Sequence, residues 1–425
     1  MTPATPPGRS WPRGATALAH RNFRLFWGGQ LVSLVGTWMQ TVAQGWLVLE
    51  LTNDPFALGL AAAFQFVPVL VLGLFGGIVA DTLPKRPMLI GTQASAMALA
   101  LVLAALVATG TVQVWHVYLL AALLGVVNAL DMPVRQSFVV EMVGRADVAN
   151  AVALNSAVFN ASRIVGPAIA GVLIGTLGIA ACFFVNGVSY VAVLLALLAM
   201  RPRELLSPPR VQFERTWRGV LGQLQEGLAY VRHTPPVLLA IAVLGIVATV
   251  GMNFNVLIPI LARDVLRGGA DAFGFLMAAS GLGSLASALM IAYGQRPTLR
   301  LLLFGAGIFG LALVFLSLSR SLPLSLLLMV VLGWGVIAIA ATTNTLIQLT
   351  VPDELRGRVM SLYTTVFAGS TPLGGLLSGT VAALAGAPAA LLVGGVLSVL
   401  TAAAAATRLP PARAGVRAAG PGKAS

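Results

Sequence analysis

The chain has 425 residues, of which 58% are hydrophobic and 9% charged, and its mean hydropathy is +0.92. Soluble domains carry roughly 25% charged residues, so this composition excludes a protein whose whole surface faces water and predicts a membrane protein. The net charge is +13, but the bases cluster in short loops and tails rather than on one helix face, which argues against nucleic acid as a partner.

Twelve apolar segments are long enough to cross a bilayer, which takes about 20 helical residues. They predict an all-α membrane protein with two six-helix bundles. The predicted spans are 24–50, 56–80, 87–109, 114–140, 149–175 and 180–200, then 236–261, 273–293, 299–318, 322–348, 358–384 and 388–406. The predicted divisions are an N-terminal tail (1–22), an N-terminal bundle (23–200), a linker (201–234), a C-terminal bundle (235–407) and a C-terminal tail (408–425).

Lys and Arg set the predicted orientation, because they concentrate on the cytoplasmic side of membrane proteins. With the N-terminus inside, the predicted outer loops hold only Arg263, Arg267 and Arg320. We therefore expect a multi-pass protein of the cell (inner) membrane, with both termini, the linker and the tails in the cytoplasm. Apolar residues at helical spacing between Val211 and Leu228 predict an amphipathic helix in the linker, and the alternative is a plain tether.

The two halves contain a parallel repeat. Residues 136–178 align with 344–386 without a gap. Identical pairs include Val143/Val351, Leu154/Leu362, Phe159/Phe367, Ser162/Ser370, Gly166/Gly374, Gly171/Gly379 and Gly178/Gly386. Parallel repeats with a binding site at their interface are a transporter architecture.

The turn between the second and third spans reads GGIVADTLPKRPMLI, residues 76–90. It resembles the loop signature of the major facilitator superfamily, and the twelve spans fit that family along nearly the whole chain. The resemblance implies an inner gate, with Thr82 and Pro84 departing from the usual pattern. The predicted gate residues are Gly77, Asp81, Lys85, Arg86 and Glu141. Alternatively, Lys85 and Arg86 are only topology signals.

The fifth span carries small residues and a proline at Gly166, Pro167 and Gly171. Such residues allow close helix packing and bending. The stretch resembles the fifth-span motif of proton-coupled exporters, although ordinary packing explains it nearly as well. Residues 38–60 and 129–167 further resemble the drug and siderophore exporters related to the enterobactin exporter.

Asp131 and Arg135 lie four residues apart in the fourth span, so they share a helix face and can pair. Charges inside a membrane are costly and usually face a cavity or a partner. One hypothesis is that Asp131 binds and releases a proton while Arg135 changes partner, with Arg163 as an alternative partner. The other is a permanent pair that fastens the bundle.

Polar and aromatic residues at helical spacing predict a substrate cavity between the halves, suited to an amphipathic organic molecule. The candidates are Thr37, Trp38, Gln40, Gln44, Asn128, Asn160, Asn344 and Gln348. For any single amide, a hydrogen bond to a neighbouring helix is the more common role.

The sequence fits other classes of protein less well than a transporter. An enzyme would need clustered His, Cys or carboxylates, but the three histidines are scattered and Cys182 is the single cysteine, so no metal site is expected. A lipid or lysolipid flippase, an importer and a non-transporting sensor remain alternatives. The prediction is a monomeric secondary transporter that exports a hydrophobic or amphipathic small molecule, without a cofactor and in exchange for protons.

Overall fold

A computed structural model of the chain describes residues 12–206, 217–293 and 298–408, with backbone alone at residues 13, 74–81, 217–221, 223, 224 and 292. These ranges are helical and contain no strand. The helices are α1 (Arg21–Thr52), α2 (Pro55–Thr82), α3 (Lys85–Ala108), α4 (Val114–Leu177), α5 (Ile179–Ala199), α6 (Trp217–His233), α7 (Pro235–Gly251), α8 (Phe254–Ile260), α9 (Ala270–Tyr293), α10 (Leu299–Leu318), α11 (Leu322–Thr350) and α12 (Asp353–Ala406). Short 3-10 helices occur at Arg13–Ala19 and Pro202–Glu204, and a π-helical turn at Leu261–Val265.

Two helices are too long for a single crossing, since about 20 residues span the hydrocarbon. α4 has 64 residues and changes direction at Gly144, whereas α12 has 54 and does so at Gly386. We call residues 114–143 and 145–177 the first and second limbs of α4. Nine helices of the described chain are long and apolar enough to cross a membrane. If α4 and α12 each cross twice, the nine become eleven, and the 32-residue α1 brings the number to the twelve spans that the sequence predicts.

The helices pack as two halves, as the sequence predicts. In the N-terminal half α1 contacts α4 and α5, α2 contacts α4, and α3 contacts α4 and α5. In the C-terminal half α9 packs on α11, α10 on α11 and α12, and α7 on α12. The halves meet where α2 contacts α12 and where α4 contacts α9. The linker helix α6 lies against α12 and α7; the predicted helix residues before Trp217 fall outside the described ranges.

The repeat is visible in the backbone. Gly178 has φ 84° and ψ 171°, and Gly386 has φ 83° and ψ 164°. Each precedes the last span of its half, and a positive φ is readily adopted only by glycine. The aligned glycines thus make the same turn at the same point of each half.

One predicted span differs from its prediction. The segment 236–261 was expected to be continuous, but α7 ends at Gly251 and α8 begins at Phe254. Met252 and Asn253 between them have non-helical backbone, and Asn253 Nδ2 donates to the Thr249 carbonyl at 2.8 Å. An Asn side chain that bonds local backbone competes with the helix ladder, which accounts for the break.

Small residues let the halves approach closely at the predicted outer end. A β-carbon on Gly59 would collide with the Gly375 backbone, and one on Gly274 with the Pro167 carbonyl oxygen. A β-carbon on Gly171 would lie 2.8 Å from Asp271 Cα. We call this contact of Gly59, Pro167 and Gly171 with Gly375, Asp271 and Gly274 the outer seam.

Candidate functional site

Asp131 is buried in the N-terminal half, with 3% of its surface exposed, and is held by side chains from α3 and α4. Thr92 Oγ1 donates to its Oδ1 at 2.7 Å, and Gln93 Nε2 donates to the same oxygen at 2.8 Å. Arg135 donates to Oδ2 through Nε, at 2.8 Å, and through a terminal nitrogen. The structure therefore forms the Asp131–Arg135 pair that the spacing predicts, and satisfies both carboxylate oxygens.

Arg135 extends this network to a third helix, because its other terminal nitrogen donates to Gln30 Oε1 on α1. Gln30 is buried as well. A desolvated ion pair is stable only when its remaining polar atoms have partners. Here Gln30 of α1 and Thr92 and Gln93 of α3 are those partners. A change in the charge of Asp131 would therefore alter the hydrogen bonds that join α1, α3 and α4.

Arg163 is not part of this network. It lies on the second limb of α4, with its guanidinium carbon 5.8 Å from the centroid of the Trp38 ring. That distance fits a cation–π contact. In this conformation Asp131 is paired with Arg135, so an exchange with Arg163 stays a hypothesis about another state.

Three residues of the predicted inner gate, Lys85, Arg86 and Glu141, have described contacts. Lys85 pairs with Glu141 across α3 and α4, with 11% and 14% of the two side chains exposed. Arg86 donates to the carbonyl oxygens of Leu197 and Leu198 at 2.7 and 3.2 Å. For Gly77 and Asp81 the structure describes the backbone alone. The contacts of Lys85 and Arg86 stay within the N-terminal half, so in this conformation they stabilise that half.

Breaking the Lys85–Glu141 pair should lower stability, and exchanging the two residues should restore it. Lys85→Glu and Glu141→Lys each place like charges in a largely shielded site, where an unpaired charge costs up to roughly 3–5 kcal/mol if it is fully buried. We expect a lower thermal denaturation midpoint for each purified variant and recovery in the double variant. Glu204→Lys is the control, because the Arg201–Glu204 pair is largely exposed. Single variants as stable as the control would contradict a buried pair.

The cavity candidates fall into two groups. Gln40 is only 8% exposed and accepts from Asn186 Nδ2 on α5 at 2.5 Å, which places it within the N-terminal half. Gln44 donates to Gln65 of α2 at 3.3 Å. The other candidates are at least partly accessible: Thr37, Trp38, Asn128, Asn160, Asn344 and Gln348. Two of these amides bond locally, since Asn160 donates to the Ser156 carbonyl and Gln348 to Asn344.

The small residues of the fifth span serve two different contacts. A β-carbon on Gly166 would lie 2.6 Å from Trp38 Cβ on α1, so this glycine sets packing inside the N-terminal half. Pro167 and Gly171 instead face α9 in the outer seam. The structure thus divides the predicted stripe between packing within a half and contact between halves.

Arg263 is a functional candidate that the sequence reading missed. Its terminal nitrogens donate to the Leu49 carbonyl at 3.2 Å and to Asn53 Oδ1 at 2.6 Å, both at the end of α1. Between pairs of described residues, these are the hydrogen bonds that join the halves. The sequence shows Arg263 only as one of the charges in the predicted outer loops, and no spacing signal indicates its contacts with α1. We call its two hydrogen bonds to Leu49 and Asn53 the clamp. The structure is closed at the predicted outer end.

Arg263→Gln should loosen this closure. Hydrogen bonds to charged groups contribute about 1.5–3 kcal/mol when well shielded and less near water, so we expect a several-fold rise in the population open at the outer end. Spin labels at Thr111→Cys and Ser321→Cys, in a Cys182→Ser background, would report the distance between the halves by pulsed electron resonance. Both label sites are exposed.

Arg267→Gln is the matched control for the clamp. It removes one charge from the same loop, at an exposed side chain for which no bond across the halves is described. An equal shift of the label distance in both variants would assign the effect to the charge of the loop. No shift in Arg263→Gln would contradict the role of Arg263 in closing the outer end.

Metal binding has no support in the described part of the chain, where no three His, Cys, Asp or Glu side chains cluster. The site is instead an ion-paired network inside one half, facing a second half across small residues. Two helical halves with this buried network and a closed seam define a polytopic transporter.

Comparison with known proteins specifies the class. A family model described as transmembrane secretion effector matches residues 14–419. The multidrug efflux pump Tap of Mycolicibacterium fortuitum is 32% identical over 374 residues, 85% of this chain and 89% of that protein. The enterobactin exporter EntS of Shigella boydii is 26% identical over 383 residues, 88% of this chain and 89% of that protein.

Solved structures agree on the fold. The nucleoside transporter NupG superposes with a TM-score of 0.69 at 15% identity, over 91% of this chain and 98% of that one. A bacterial Spinster homologue in an inward-facing conformation superposes with a TM-score of 0.67 at 14% identity, over 94% and 96%. The chain belongs to the major facilitator superfamily, in its transmembrane secretion effector family. It is therefore a membrane transporter and not an enzyme.

Proposed function

We propose that this protein exports a hydrophobic or amphipathic small molecule in exchange for protons, by alternating access between its two halves. The observation that carries the proposal is the buried Asp131 carboxylate at membrane depth, which is paired with the partly exposed Arg135. Ionisable residues within spans usually serve ion or substrate pathways. The transporter acts as a monomer in the cytoplasmic membrane, with both termini inside and no cofactor beyond the proton gradient.

The direction and the substrate class rest on relatives. Two relatives are named a multidrug efflux pump and an enterobactin exporter. Both names describe export of organic molecules. The partly exposed rings of Phe64, Phe159 and Phe367 offer apolar contact area on both halves, which suits an amphipathic molecule.

Alternating access follows from the outer seam. The described conformation closes the predicted outer end through the glycines and Arg263, so substrate enters from the cytoplasmic side. Rocking of the halves would break this seam and form new contacts at the inner end. Arg135 would leave Asp131 during that movement, and a proton would take the place of the guanidinium as the partner of the buried carboxylate. Protonation would then accompany one conformation only.

Everted membrane vesicles test this proposal. Their lumen is acidified by respiration and followed with a pH-sensitive dye, and organic dyes, macrolides and catecholate siderophores are added in turn. Proton release that requires the protein and one of these compounds supports antiport. Compound accumulation without proton release would keep export but refute proton exchange, and transbilayer movement of a labelled lysolipid in its place would favour a flippase.

A further inference from the structure

Arg163 is a cation at membrane depth that forms no ion pair with an acid among the described residues. It is half-buried on the second limb of α4. Its described contact is the Trp38 ring, and no hydrogen bond or ion pair joins it to another described residue. An intramembrane charge normally faces a partner or a cavity, so the missing anion calls for an explanation.

The two acidic residues on the first limb of α4 are already paired. The Asp131 carboxylate accepts two hydrogen bonds from Arg135 and one each from Thr92 and Gln93. Glu141 is paired with Lys85. Since no described acid pairs with Arg163 in this conformation, its charge is available to a mobile anion.

The neighbours of Arg163 supply an aromatic surface. Trp38 and Phe159 meet edge to face, with ring centroids 5.6 Å apart at 69°. Phe159 lies one helical turn from Arg163, on the same face of the limb, and is 45% exposed. A guanidinium stacked on a ring keeps its in-plane N–H donors free for a carboxylate. A cation and two rings thus share one accessible surface.

The position of Arg163 places this surface at the boundary between the halves. A β-carbon on Gly281 of α9 would lie 3.0 Å from the Arg163 carbonyl oxygen and 2.8 Å from Ile164 Cγ1. Further along the same two helices lie the seam contacts of Pro167 and Gly171. Arg163 therefore lies at the inner limit of these close approaches, where a bound molecule would face one compartment and then the other.

We propose that Arg163, with Trp38 and Phe159, binds the anionic group of an aromatic organic acid, which makes the transported substrates amphipathic anions. This inference rests on the proposed transport function. The guanidinium holds the carboxylate, and the two rings hold the apolar body. Arg163 then acts as a substrate-binding residue, and Asp131 with Arg135 remains a separate network.

A matched pair of compounds tests the charge preference. 1-Naphthaleneacetate and 1-naphthaleneacetamide share the same ring and differ in one charge. Equilibrium dialysis of the radiolabelled compounds would use the full chain in phosphatidylcholine nanodiscs at pH 7, with empty nanodiscs subtracted. We expect wild type to bind the carboxylate about tenfold more tightly than the amide, the size of one charge-assisted contact.

Variants assign that preference to the guanidinium. Arg163→Gln should bind the two compounds nearly equally, and Arg163→Lys should keep part of the preference because it keeps the charge. Arg145→Gln is the control, since it removes an exposed charge from the same limb and should behave as wild type. Thermal denaturation of each variant checks folding. A preference that survives in Arg163→Gln, or a wild type that prefers neither compound or binds neither, overturns the proposal.

The two proposals fail separately, because dialysis needs no gradient. A protein that transports in vesicles but shows no carboxylate preference keeps the transport function and loses this inference. Selective binding of the carboxylate without any transport keeps the binding role of Arg163 and refutes the transport function.

Discussion

Vesicles that carry Asp131→Asn should still exchange substrate across the membrane but should lose proton-driven accumulation at least tenfold. Asn keeps an oxygen that accepts from Thr92 and Gln93, whereas its amide hydrogens would face the Arg135 donors. The variant therefore binds no proton at this position and frees Arg135. The measurement compares exchange without a gradient with accumulation under one, using the compound that releases protons in the wild type.

A purely structural pair predicts a different pattern. Exchange and accumulation would then fall together, and the variant would unfold at lower temperature, since an unpaired buried charge costs roughly 3–5 kcal/mol. Adding Arg135→Gln would remove that charge and restore both activities if the pair is structural. Under a coupling role the double variant would stay uncoupled. Asp147→Asn is the control, because that carboxylate, at the start of the second limb of α4, accepts from Thr16 and pairs with His20 outside the Asp131 network.

The sequence was sufficient for the fold because hydropathy reports lipid contact directly. The predicted span 299–318 coincides with α10, and the left-handed Gly178 and Gly386 occupy aligned positions of the repeat. The Asp131–Arg135 pair was also predictable, since residues four apart share a helix face. These features depend on local spacing along one helix, which the sequence records.

Contacts between helices were not predictable from one sequence. Thr92, Gln93 and Gln30 meet the ion pair from α3 and α1, and no spacing rule indicates which faces of separate helices will meet. Arg263 resembled a loop charge until its contacts with α1 were known. Trp38 was predicted to line the cavity and Arg163 to be an alternative partner of Asp131, but their contact depends on how α1 crosses α4.

The two halves contribute different contacts. The buried ion-paired network belongs to the N-terminal half alone, and the C-terminal half contributes Arg263 and the glycines of α9 and α12 that close the outer end. Proton binding would then act on the packing of α1, α3 and α4, and the movement would be resisted by the outer seam. A change at the seam should therefore alter conformation without altering the ion pair.

Gly171→Val is expected to hold the protein open at the predicted outer end and to reduce transport at least tenfold. A β-carbon there would lie 2.8 Å from Asp271 Cα and 2.9 Å from the Ala270 carbonyl oxygen. Both are backbone atoms, which cannot turn aside as a side chain can, and overpacking costs typically about 1–3 kcal/mol. The spin labels at Thr111→Cys and Ser321→Cys should report a longer distance than in the unsubstituted labelled protein.

Gly175→Val is a closely matched control, because it lies one turn away on the same limb and a β-carbon there meets nothing within 4 Å. The two variants have the same change in helix propensity and apolar surface, so they differ only in what the new side chain touches. Transport and label distances in Gly175→Val should match wild type. If Gly171→Val did the same, the outer seam would not be the surface that closes. If both variants failed equally, the cause would lie in the helix itself, because only Gly171 faces the backbone of the other half.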